Sequence, residues 1–331
     1  MSMTVWQSKV KKIGLIDVDS HNFPNIPLMK ISAWHKQQGD SVEWYTPLLS
    51  GHMDKVYVSK IFSFTPDVDY PIDADEIEFG GSGYCIELEN GKEVYRKEKD
   101  HNLPYEIEHI YPDYSIYQQY TEDTAYGRLT LGCPRQCSFC HTGVKDGICS
   151  TKVADVKEFW KDQKNIVLID QNILACKDWK DLLLQLKETK AYIDFCGGLD
   201  IRMMTEEKAI LLNQLKIKEW HFAWDRYQDK DIIIPKFELF SRYNKIHPKK
   251  SMCYVLVGYD TTIDQDLERI YTLRDLGYWA YVMVYNKSNL PKNHVLKKMQ
   301  RWVNNRIIFG SCKYFEDYNK KEEEEEGTIF L

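Results

Sequence analysis

The chain has 331 residues, a formal net charge of −6 at pH 7, 43% hydrophobic residues and 28% charged residues, as is typical of a globular protein with one large or two smaller domains. Outside the run Glu322–Glu326 it is nearly neutral, which excludes a global basic field for nucleic acid. No apolar run approaches the ~18 residues that a membrane span needs, and Met1–Lys12 lacks the pattern of a secretory signal. We therefore expect a cytoplasmic protein with neither a membrane nor a nucleic-acid partner.

The first hundred residues predict a small α/β domain. Asn25–Gly39 predicts a helix that ends at a glycine. Short apolar runs with polar ends predict parallel strands over Lys11–Asp19, Ser41–Tyr45, Asp54–Ser59 and Asp75–Phe79. Repeated strand and helix units of this kind predict a Rossmann-like domain over residues 1–100.

Two segments of this domain are candidates for contact with a ligand. His21 follows the first strand, where a ligand-binding loop emerges in such domains, although a surface histidine is the alternative. Gly80, Gly81 and Gly83 follow the fourth strand, where a backbone without side chains can approach a ligand closely or form a plain turn.

The rest of the chain divides into three parts. Residues 101–126 are rich in Glu, Tyr and Pro without periodicity, which predicts a connecting segment. Residues 127–315 alternate regularly between apolar runs and helical patterns, which predicts a second domain. Residues 316–331 predict an acidic, disordered tail.

The second domain reads as six β/α units. The predicted strands are Arg128–Leu131, Asn165–Asp170, Ala191–Cys196, Glu219–Trp224, Met252–Val257 and Trp279–Tyr285. The predicted helices are Val153–Lys161, Trp179–Lys187, Glu206–Leu215, Ile233–Tyr243, Asp264–Leu276 and His294–Asn305. Short apolar strands without clean alternation predict a parallel sheet covered on both faces. Six units fall short of the eight of a closed barrel, so we expect a partial, open (β/α)6 TIM-like barrel.

Polar residues follow each predicted strand, and the carboxyl ends of barrel strands are where active sites are built. We therefore expect one face to collect Cys133–Cys140, Asp170, Gln171, Asn172, Gly197, Gly198, Asp200, Arg202, Asp225, Arg226, Gly258, Tyr259, Asp260, Tyr285 and Asn286. Taken singly, any of these residues can equally be a helix cap or a salt-bridge partner in a loop.

Three of the nine cysteines lie within eight residues, as Cys133, Cys137 and Cys140. Cysteine thiolates are the usual ligands of iron–sulfur clusters, and three of them leave the fourth iron of a four-iron cluster open. Structural zinc held with His141 is an alternative that describes a binding module instead of an enzyme. A c-type haem is a further alternative, but haem attachment belongs to exported proteins.

The spacing Cys133-x-x-x-Cys137-x-x-Cys140 after the first strand of a six-unit β/α chain resembles the radical S-adenosylmethionine (radical SAM) superfamily over residues 125–312, and Phe139 is the aromatic residue common before the third cysteine. The resemblance implies a 4Fe–4S cluster on the three cysteines, with S-adenosylmethionine chelating the fourth iron. It also implies a one-electron reductant of the flavodoxin or ferredoxin type, and a 5'-deoxyadenosyl radical that abstracts hydrogen from a substrate.

The same resemblance implies residues that contact S-adenosylmethionine. Gln171 and Asn172 stand where many members carry a Gly-Gly-Glu motif, and Phe139 stands near the adenine. Asp200 and Arg202 follow the third strand, and a guanidinium group matches a carboxylate bidentately. Gly258 follows the fifth strand at an adenine-contacting position.

The order of the first strands is similar to that of radical SAM enzymes with an N-terminal cobalamin-binding-like domain. Cobalamin is therefore a candidate cofactor, with the loop of His21 and the turn of Gly80, Gly81 and Gly83 as its candidate contacts, although the Asp-x-His-x-x-Gly signature is absent. A nucleic-acid-modifying radical enzyme is an alternative suggested by Lys249, Lys250, Lys297, Lys298 and Arg301. The sequence predicts neither the substrate nor the reaction type.

Overall fold

A computed structural model describes residues 9–246 and 250–320 of the chain. The chain divides into two compact units, of which the first ends at Val167 and the second begins at Leu168. Both contain parallel strands together with helices, which confirms the predicted α/β class. Among the helices of the described ranges, none is long and apolar enough to cross a membrane.

The first unit is built on a four-stranded parallel sheet. Its strands lie in the order β2, β1, β3, β4, and Ile13 of β1 lies opposite both Val42 of β2 and Lys55 of β3. The elements are β1 (Lys12–Asp17), α1 (Ile26–Gln37), β2 (Ser41–Trp44), β3 (Met53–Ser59) and β4 (Ala74–Gly80). Every strand and the helix predicted in this region are confirmed to within two residues.

Helix α1 begins where Asn25 caps it. The Asn25 side-chain oxygen accepts a hydrogen bond from the backbone N–H of Leu28 at 3.2 Å, and its amide donates to the Ser59 hydroxyl at 2.8 Å. On the buried face of the helix, Leu28 and Ile31 join the core cluster of Ile13. One asparagine thus fixes both the start of the helix and its place beside the end of β3.

Among the described strands, β4 pairs with β3 alone and forms an edge of this sheet. Its residues between Asp75 and Phe79 are all exposed, and three of the five are acidic. Lys55 of the neighbouring strand lies 2.7 Å from Glu76 and 2.6 Å from Glu78.

The remaining elements of the first unit are short. Strands β5 and β6 form an antiparallel hairpin, β8 pairs antiparallel with β9, and β7 lies beside β10. In chain order they are α2 (Ser82–Cys85), β5 (Ile86–Glu89), β6 (Lys92–Tyr95), α3 (Tyr105–Glu108), α4 (Gln118–Thr121), β7 (Thr124–Gly127), β8 (Thr130–Leu131), α5 (Thr142–Lys145), β9 (Thr151–Lys152) and β10 (Asn165–Leu168).

The predicted connecting segment packs against α1. The Lys30 ammonium group lies 2.8 Å from the Glu108 carboxylate, and Asp113 accepts hydrogen bonds at 2.6 Å from both Ser32 and Lys36. These contacts tie residues 105–117 into the first unit, which extends beyond the predicted domain boundary at residue 127.

The helix predicted over Val153–Lys161 is wrong. The structure has only a 3-10 turn, Val156–Glu158, closed by a capping box between Asp155 and Glu158. The chain leaves helical geometry at Phe159, because its ring lies directly against Gly127, where a Cβ atom would approach the ring to 2.4 Å. Tertiary packing of one aromatic ring overrides the local helical pattern.

The second unit alternates helices with parallel strands. Strand β11 pairs with β12, and β14 lies between β13 and β15. The elements are α6 (Trp179–Thr189), β11 (Tyr192–Phe195), α7 (Glu206–Leu212), β12 (Lys216–Ile217), β13 (Trp220–Ala223), α8 (Lys230–Ser241), β14 (Ser251–Val257), α9 (Ile263–Asp275), β15 (Trp279–Val284), α10 (Val295–Asn304) and α11 (Arg306–Ser311). The predicted parallel pairing is confirmed here, whereas closure into a partial barrel stays a prediction.

The two faces of strands β13 to β15 differ. One face is buried except at Val284, and there Phe222 packs edge-on against Phe237 and Phe240 of α8 with ring centroids 5.5 and 5.1 Å apart. The other face, which carries His221, Tyr254 and Tyr281, is half-buried or exposed. We call this second face the open face of the sheet. The exposure of this face differs from the sequence prediction, in which both faces of the sheet are covered.

The predicted acidic tail falls largely on residues 321–331, which lie outside the described residues. Within the described part, Tyr318 is buried and lies beside the ring of Phe315, with centroids 6.4 Å apart. Phe315 in turn packs on Trp302 of α10. The described start of the predicted tail therefore includes one residue, Tyr318, that belongs to the core.

A pair of glycine substitutions tests the turn after β4. Gly81 has φ +95°, and a Cβ atom there would lie 2.3 Å from the Lys60 carbonyl oxygen, whereas Gly91 has φ +75° in open space. We expect Gly91→Ala to cost ~1 kcal/mol of unfolding free energy for its left-handed backbone alone. Gly81→Ala adds the collision, so we expect roughly 1–3 kcal/mol more in urea denaturation. Equal losses in the two variants would contradict the packing described.

Candidate functional site

The loop that carries the three cysteines is tied together at its two ends. The backbone N–H of Cys133 donates to the Gly147 carbonyl at 3.1 Å. Gly132 has φ +85°, and a Cβ atom at that position would lie 2.2 Å from the Cys149 carbonyl oxygen. Only glycine permits this close approach of the two ends, which begin and finish beside the paired strands β8 and β9.

Between those ends the cysteines lie on irregular backbone. No helix or strand covers residues 132–141, and Cys140 donates its backbone N–H to the Cys137 carbonyl at 2.9 Å. Cys133 and Cys137 are half-buried, and Cys140 is exposed with its sulfur 3.3 Å from the Thr142 hydroxyl. Phe139 is half-buried beside them. One short loop thus presents three thiols at or near the surface.

The chemistry of this donor set fits an iron–sulfur cluster. Thiolates are the usual cluster ligands, and a loop without regular structure can bring its sulfurs together without breaking a helix or strand. Across residues 9–246 and 250–320, no three Cys, His, Asp or Glu side chains already converge closely enough to hold a metal ion. Cluster binding by Cys133, Cys137 and Cys140 therefore stays a prediction.

His141 lies against the β5–β6 hairpin. Its Nε2 atom is 3.4 Å from the Glu93 carboxylate, and its ring centroid is 6.1 Å from that of Tyr95. His141 is therefore a loop residue that packs on the hairpin.

In the second unit, the segments that follow β10 and β11 are joined by hydrogen bonds. The Asn172 amide donates to Asp200 at 3.1 Å, and the Arg202 Nε atom donates to the other Asp200 oxygen at 2.7 Å. Arg202 also donates to Asp229. Burial opposes the charge of Arg202, but both carboxylates outweigh it and raise the pKa of the guanidinium group. The structure thus brings together three residues that were predicted to contact S-adenosylmethionine.

A glycine makes this proximity possible. A Cβ atom at Gly197 would lie 2.4 Å from the Asp170 carbonyl oxygen, so the turn after β11 lies directly on the backbone that follows β10. Asp170 and Asn172 are buried there, and Gln171 between them is half-buried.

A fully buried ion pair holds the next two strand ends. The Arg269 guanidinium lies 2.6 Å from the Asp266 carboxylate, and both side chains are completely inaccessible to solvent. Asp266 accepts the backbone N–H of Gly258 at 3.2 Å. Arg269 also donates at 2.7–2.8 Å to the carbonyl oxygens of Trp224, Asp225 and Leu256. Gly258 is therefore placed by this pair, at a φ of +75° that favours glycine.

The Asp225 side chain lies beside this pair. Burial raises the pKa of its carboxyl group, against the opposing effect of Arg269 and Arg202. Its Oδ1 atom is inaccessible to solvent and has no hydrogen-bond partner among the residues that the structure describes. Asp225 is thus a carboxyl group that retains its proton to higher pH than an exposed aspartate does.

A polar row on the open face was missed by the sequence analysis. His221 of β13 has its Nδ1 atom 3.0 Å from the Asp194 carboxylate of β11, an ion-pair contact whose angles fall outside those of a hydrogen bond. The His221 ring lies 5.8 Å from that of Tyr254, which in turn lies 5.9 Å from Tyr281. The Tyr254 hydroxyl donates to the Cys196 carbonyl at 3.3 Å. In β13, His221 stands between Trp220 and Phe222, which are both buried. Because successive side chains of a strand point to opposite faces, this pattern is the sequence signal that places His221 on the open face.

In the first unit, the candidate cobalamin contacts lie in different surroundings. Gly81 and Gly83 make room for the chain's own Lys60, whose carbonyl oxygen accepts the Gly83 N–H at 2.9 Å. Gly80 has open space around it, and His21 is exposed. The turn interpretation therefore accounts for two of the three glycines.

The basic residues that suggested nucleic-acid binding do not form one exposed surface. Lys298 is buried in α10, and Lys297 donates to the Leu290 carbonyl at 2.6 Å. Arg301 is exposed on the same helix. Lys249 lies outside the described residues.

Removal of the buried arginine tests how the strand ends are held. We expect Arg269→Met to lower the unfolding free energy by ~3–5 kcal/mol in urea denaturation, because Asp266 would be left as an uncompensated buried charge. Lys180→Met, which breaks the exposed pair with Glu207, should cost ~0–1 kcal/mol. Similar losses in the two variants would show that the buried pair does not hold these loops.

The pair of His221 and Asp194 predicts a pH dependence of stability. Burial lowers the His221 pKa, but the Asp194 carboxylate outweighs it, so the pKa is raised above that of the unfolded chain. The stabilisation is therefore complete below about pH 6.5 and is lost as the pH rises through the raised pKa. We expect the difference in unfolding free energy between wild type and His221→Gln to be larger at about pH 5.5 than at about pH 9. Asp194→Asn should remove most of that dependence, and a pH-independent difference would refute the pairing.

No protein-family model matches this chain, and no curated protein is significantly similar to it.

Proposed function

We propose that the protein is a radical SAM enzyme, with a 4Fe–4S cluster bound by Cys133, Cys137 and Cys140. The observation that carries the proposal is that the Cys-x-x-x-Cys-x-x-Cys spacing lies on one irregular, accessible loop directly after a strand. The second unit contains parallel strands whose carboxyl ends carry buried polar groups. This arrangement supports an α/β enzyme of this kind.

The three thiols would be the protein ligands of the cluster. When bound together, the cluster and S-adenosylmethionine supply one-electron chemistry, while the protein positions the reactants and excludes solvent. The tied ends of the loop at Gly132 and Cys149 limit the movement of the cysteines relative to β8 and β9. We expect the electron to come from a one-electron reductant of the flavodoxin or ferredoxin type.

Polar groups of the second unit suit the charged parts of S-adenosylmethionine. Asp200 and Asn172 are candidates for its amino group, because carboxylate and amide oxygens accept hydrogen bonds from ammonium. Arg202 is already bound to Asp200 and Asp229, so a carboxylate at its guanidinium must compete with Asp229. Gln171 and Gly258 complete the proposed contacts of the second unit.

Two groups of the second unit can hold protons beside a substrate. Burial raises the pKa of the Asp225 carboxyl group, and against the effect of burial the Asp194 carboxylate raises the pKa of the His221 imidazole, so each retains a proton to higher pH than an exposed residue of its type. The open face offers Tyr281 and Met283 as exposed contacts for an apolar part of the substrate. Cobalamin remains a proposal for the first unit, and titration of cobalamin into the reconstituted protein tests it separately.

Substitution of single cysteines tests the proposed cluster. After anaerobic reconstitution we expect about four irons and four sulfides per wild-type chain and reductant-dependent release of 5'-deoxyadenosine from S-adenosylmethionine. Cys137→Ser should abolish both. Cys149→Ser is the matched control, because Cys149 is an exposed cysteine of the same loop outside the motif, and it should retain both.

Three results would overturn the proposal: zinc instead of iron in the anaerobically purified protein, retention of the cluster in Cys137→Ser, and equal loss in Cys149→Ser. Zinc with an intact fold would instead support the structural binding module. The measurements are metal and sulfide analysis and mass spectrometry of the nucleoside product.

A further inference from the structure

A cavity of about 290 Å³ lies in the first unit, at the carboxyl ends of β1 and β2. Crevices at the carboxyl ends of parallel strands are the usual ligand sites of open α/β sheets. Four aromatic residues and one carboxylate line the cavity: Trp44, Tyr45, Tyr70, Tyr117 and Asp17. We call this set the aromatic cavity.

The aromatic residues are arranged as two packed pairs. The rings of Trp44 and Tyr117 meet edge to face with centroids 5.1 Å apart. Those of Tyr45 and Tyr70 are stacked with centroids 6.5 Å apart. The Trp44 indole N–H donates to the Ile116 carbonyl at 3.2 Å, which fixes the ring at the edge of the cavity. The lining is therefore held by its own contacts before any ligand arrives.

The hydrogen-bond donors to the Asp17 carboxylate are all neutral within the described part of the chain. It accepts hydrogen bonds from the Ser20 backbone N–H at 3.0 Å and from the Tyr117 hydroxyl, both of which are neutral donors. Among the described residues, no lysine, arginine or histidine forms an ion pair with Asp17. Burial, and next the Asp17 carboxylate, raise the pKa of the Tyr117 hydroxyl, so this donor stays protonated. The aromatic cavity thus combines aromatic rings with a carboxylate that accepts hydrogen bonds only from neutral groups of the described residues.

We propose that the aromatic cavity binds a small organic ammonium ion, whose methylated or quaternary nitrogen contacts the rings and is balanced by Asp17. Aromatic rings attract cations through their negative faces, and several rings around a carboxylate favour an ammonium group over a neutral group of the same shape. A volume of about 290 Å³ is near the lower end of the roughly 300–1,000 Å³ of small-molecule pockets, which suits a small ion.

This inference goes beyond the proposed function, because it requires neither iron nor S-adenosylmethionine. It concerns a cavity formed wholly within the first unit, and failure of cluster reconstitution would leave its test unaffected. His21 and Ser20 also line the cavity and provide polar groups for the remainder of the ligand.

The test compares choline with 3,3-dimethylbutan-1-ol, its neutral isostere, by titration into the full chain with calorimetry or NMR detection. We expect choline to bind at least tenfold more tightly than the alcohol, because the two differ only in the charge of one atom. Equal affinities would show a merely apolar cavity, and no binding of choline at millimolar concentration would show that no cation site exists. Either result overturns the proposal.

Substitutions locate the binding. Trp44 is 37% exposed, so Trp44→Leu should fold normally and weaken choline binding about fivefold or more, whereas Trp44→Phe should weaken it less. Asp17→Asn should remove the preference for choline over the alcohol. Tyr105→Leu, at an exposed tyrosine outside the cavity, is the matched control and should leave the affinity unchanged. An equal loss in Trp44→Leu and Tyr105→Leu would contradict binding in the aromatic cavity.

Discussion

The second unit depends on the ion pair between Arg269 and Asp266, which is buried without any exposure to solvent. Removing two charges from water costs several kcal/mol each, and the Coulombic attraction offsets that cost only when the remaining donors and acceptors are satisfied. Here the guanidinium donates to three backbone carbonyls and the carboxylate accepts the Gly258 N–H. The pair is thus a rigid connection between strand ends, since any movement of one end leaves a buried charge uncompensated.

In the first unit, hydrogen bonds to a buried carboxylate hold the strand ends together. The buried carboxylate of Asp19 accepts the backbone N–H groups of Ile61 and Phe62, each at 2.8 Å, so the segments after β1 and β3 are held together. Asn25 joins the same region through Ser59. In both units, buried polar side chains that make several hydrogen bonds fix the carboxyl ends of parallel strands, although Arg269 Nε has no hydrogen-bond partner among the described residues. Beside them, the Oδ1 atom of Asp225 has no hydrogen-bond partner among the described residues, whereas Asp17 accepts hydrogen bonds from Ser20 and Tyr117.

The strands and helices of the main sheets followed from local pattern, because short apolar runs with polar ends have few alternative structures. The β5–β6 hairpin was missed although Asn90-Gly91, both at positive φ, is the strongest short signal for such a turn. The helix predicted at Val153 failed because the contact of Phe159 with Gly127 is not visible in a local pattern. The cysteine motif could be recognised from the sequence because its three residues lie within eight positions of one another. The contact of His221 with Asp194 could not, since it requires knowing which strands lie side by side.

The exposed edge strand β4 bears on how copies of the protein behave toward one another. An unpaired edge offers backbone hydrogen bonds to any approaching strand, which is the usual route to aggregation of sheet proteins. Asp75, Glu76 and Glu78 place like charges along this edge, so a second copy that aligned its own β4 would meet electrostatic repulsion. Lys55 neutralises part of that charge from within the sheet. The acidic residues of β4 therefore oppose edge-to-edge pairing of two copies at this strand.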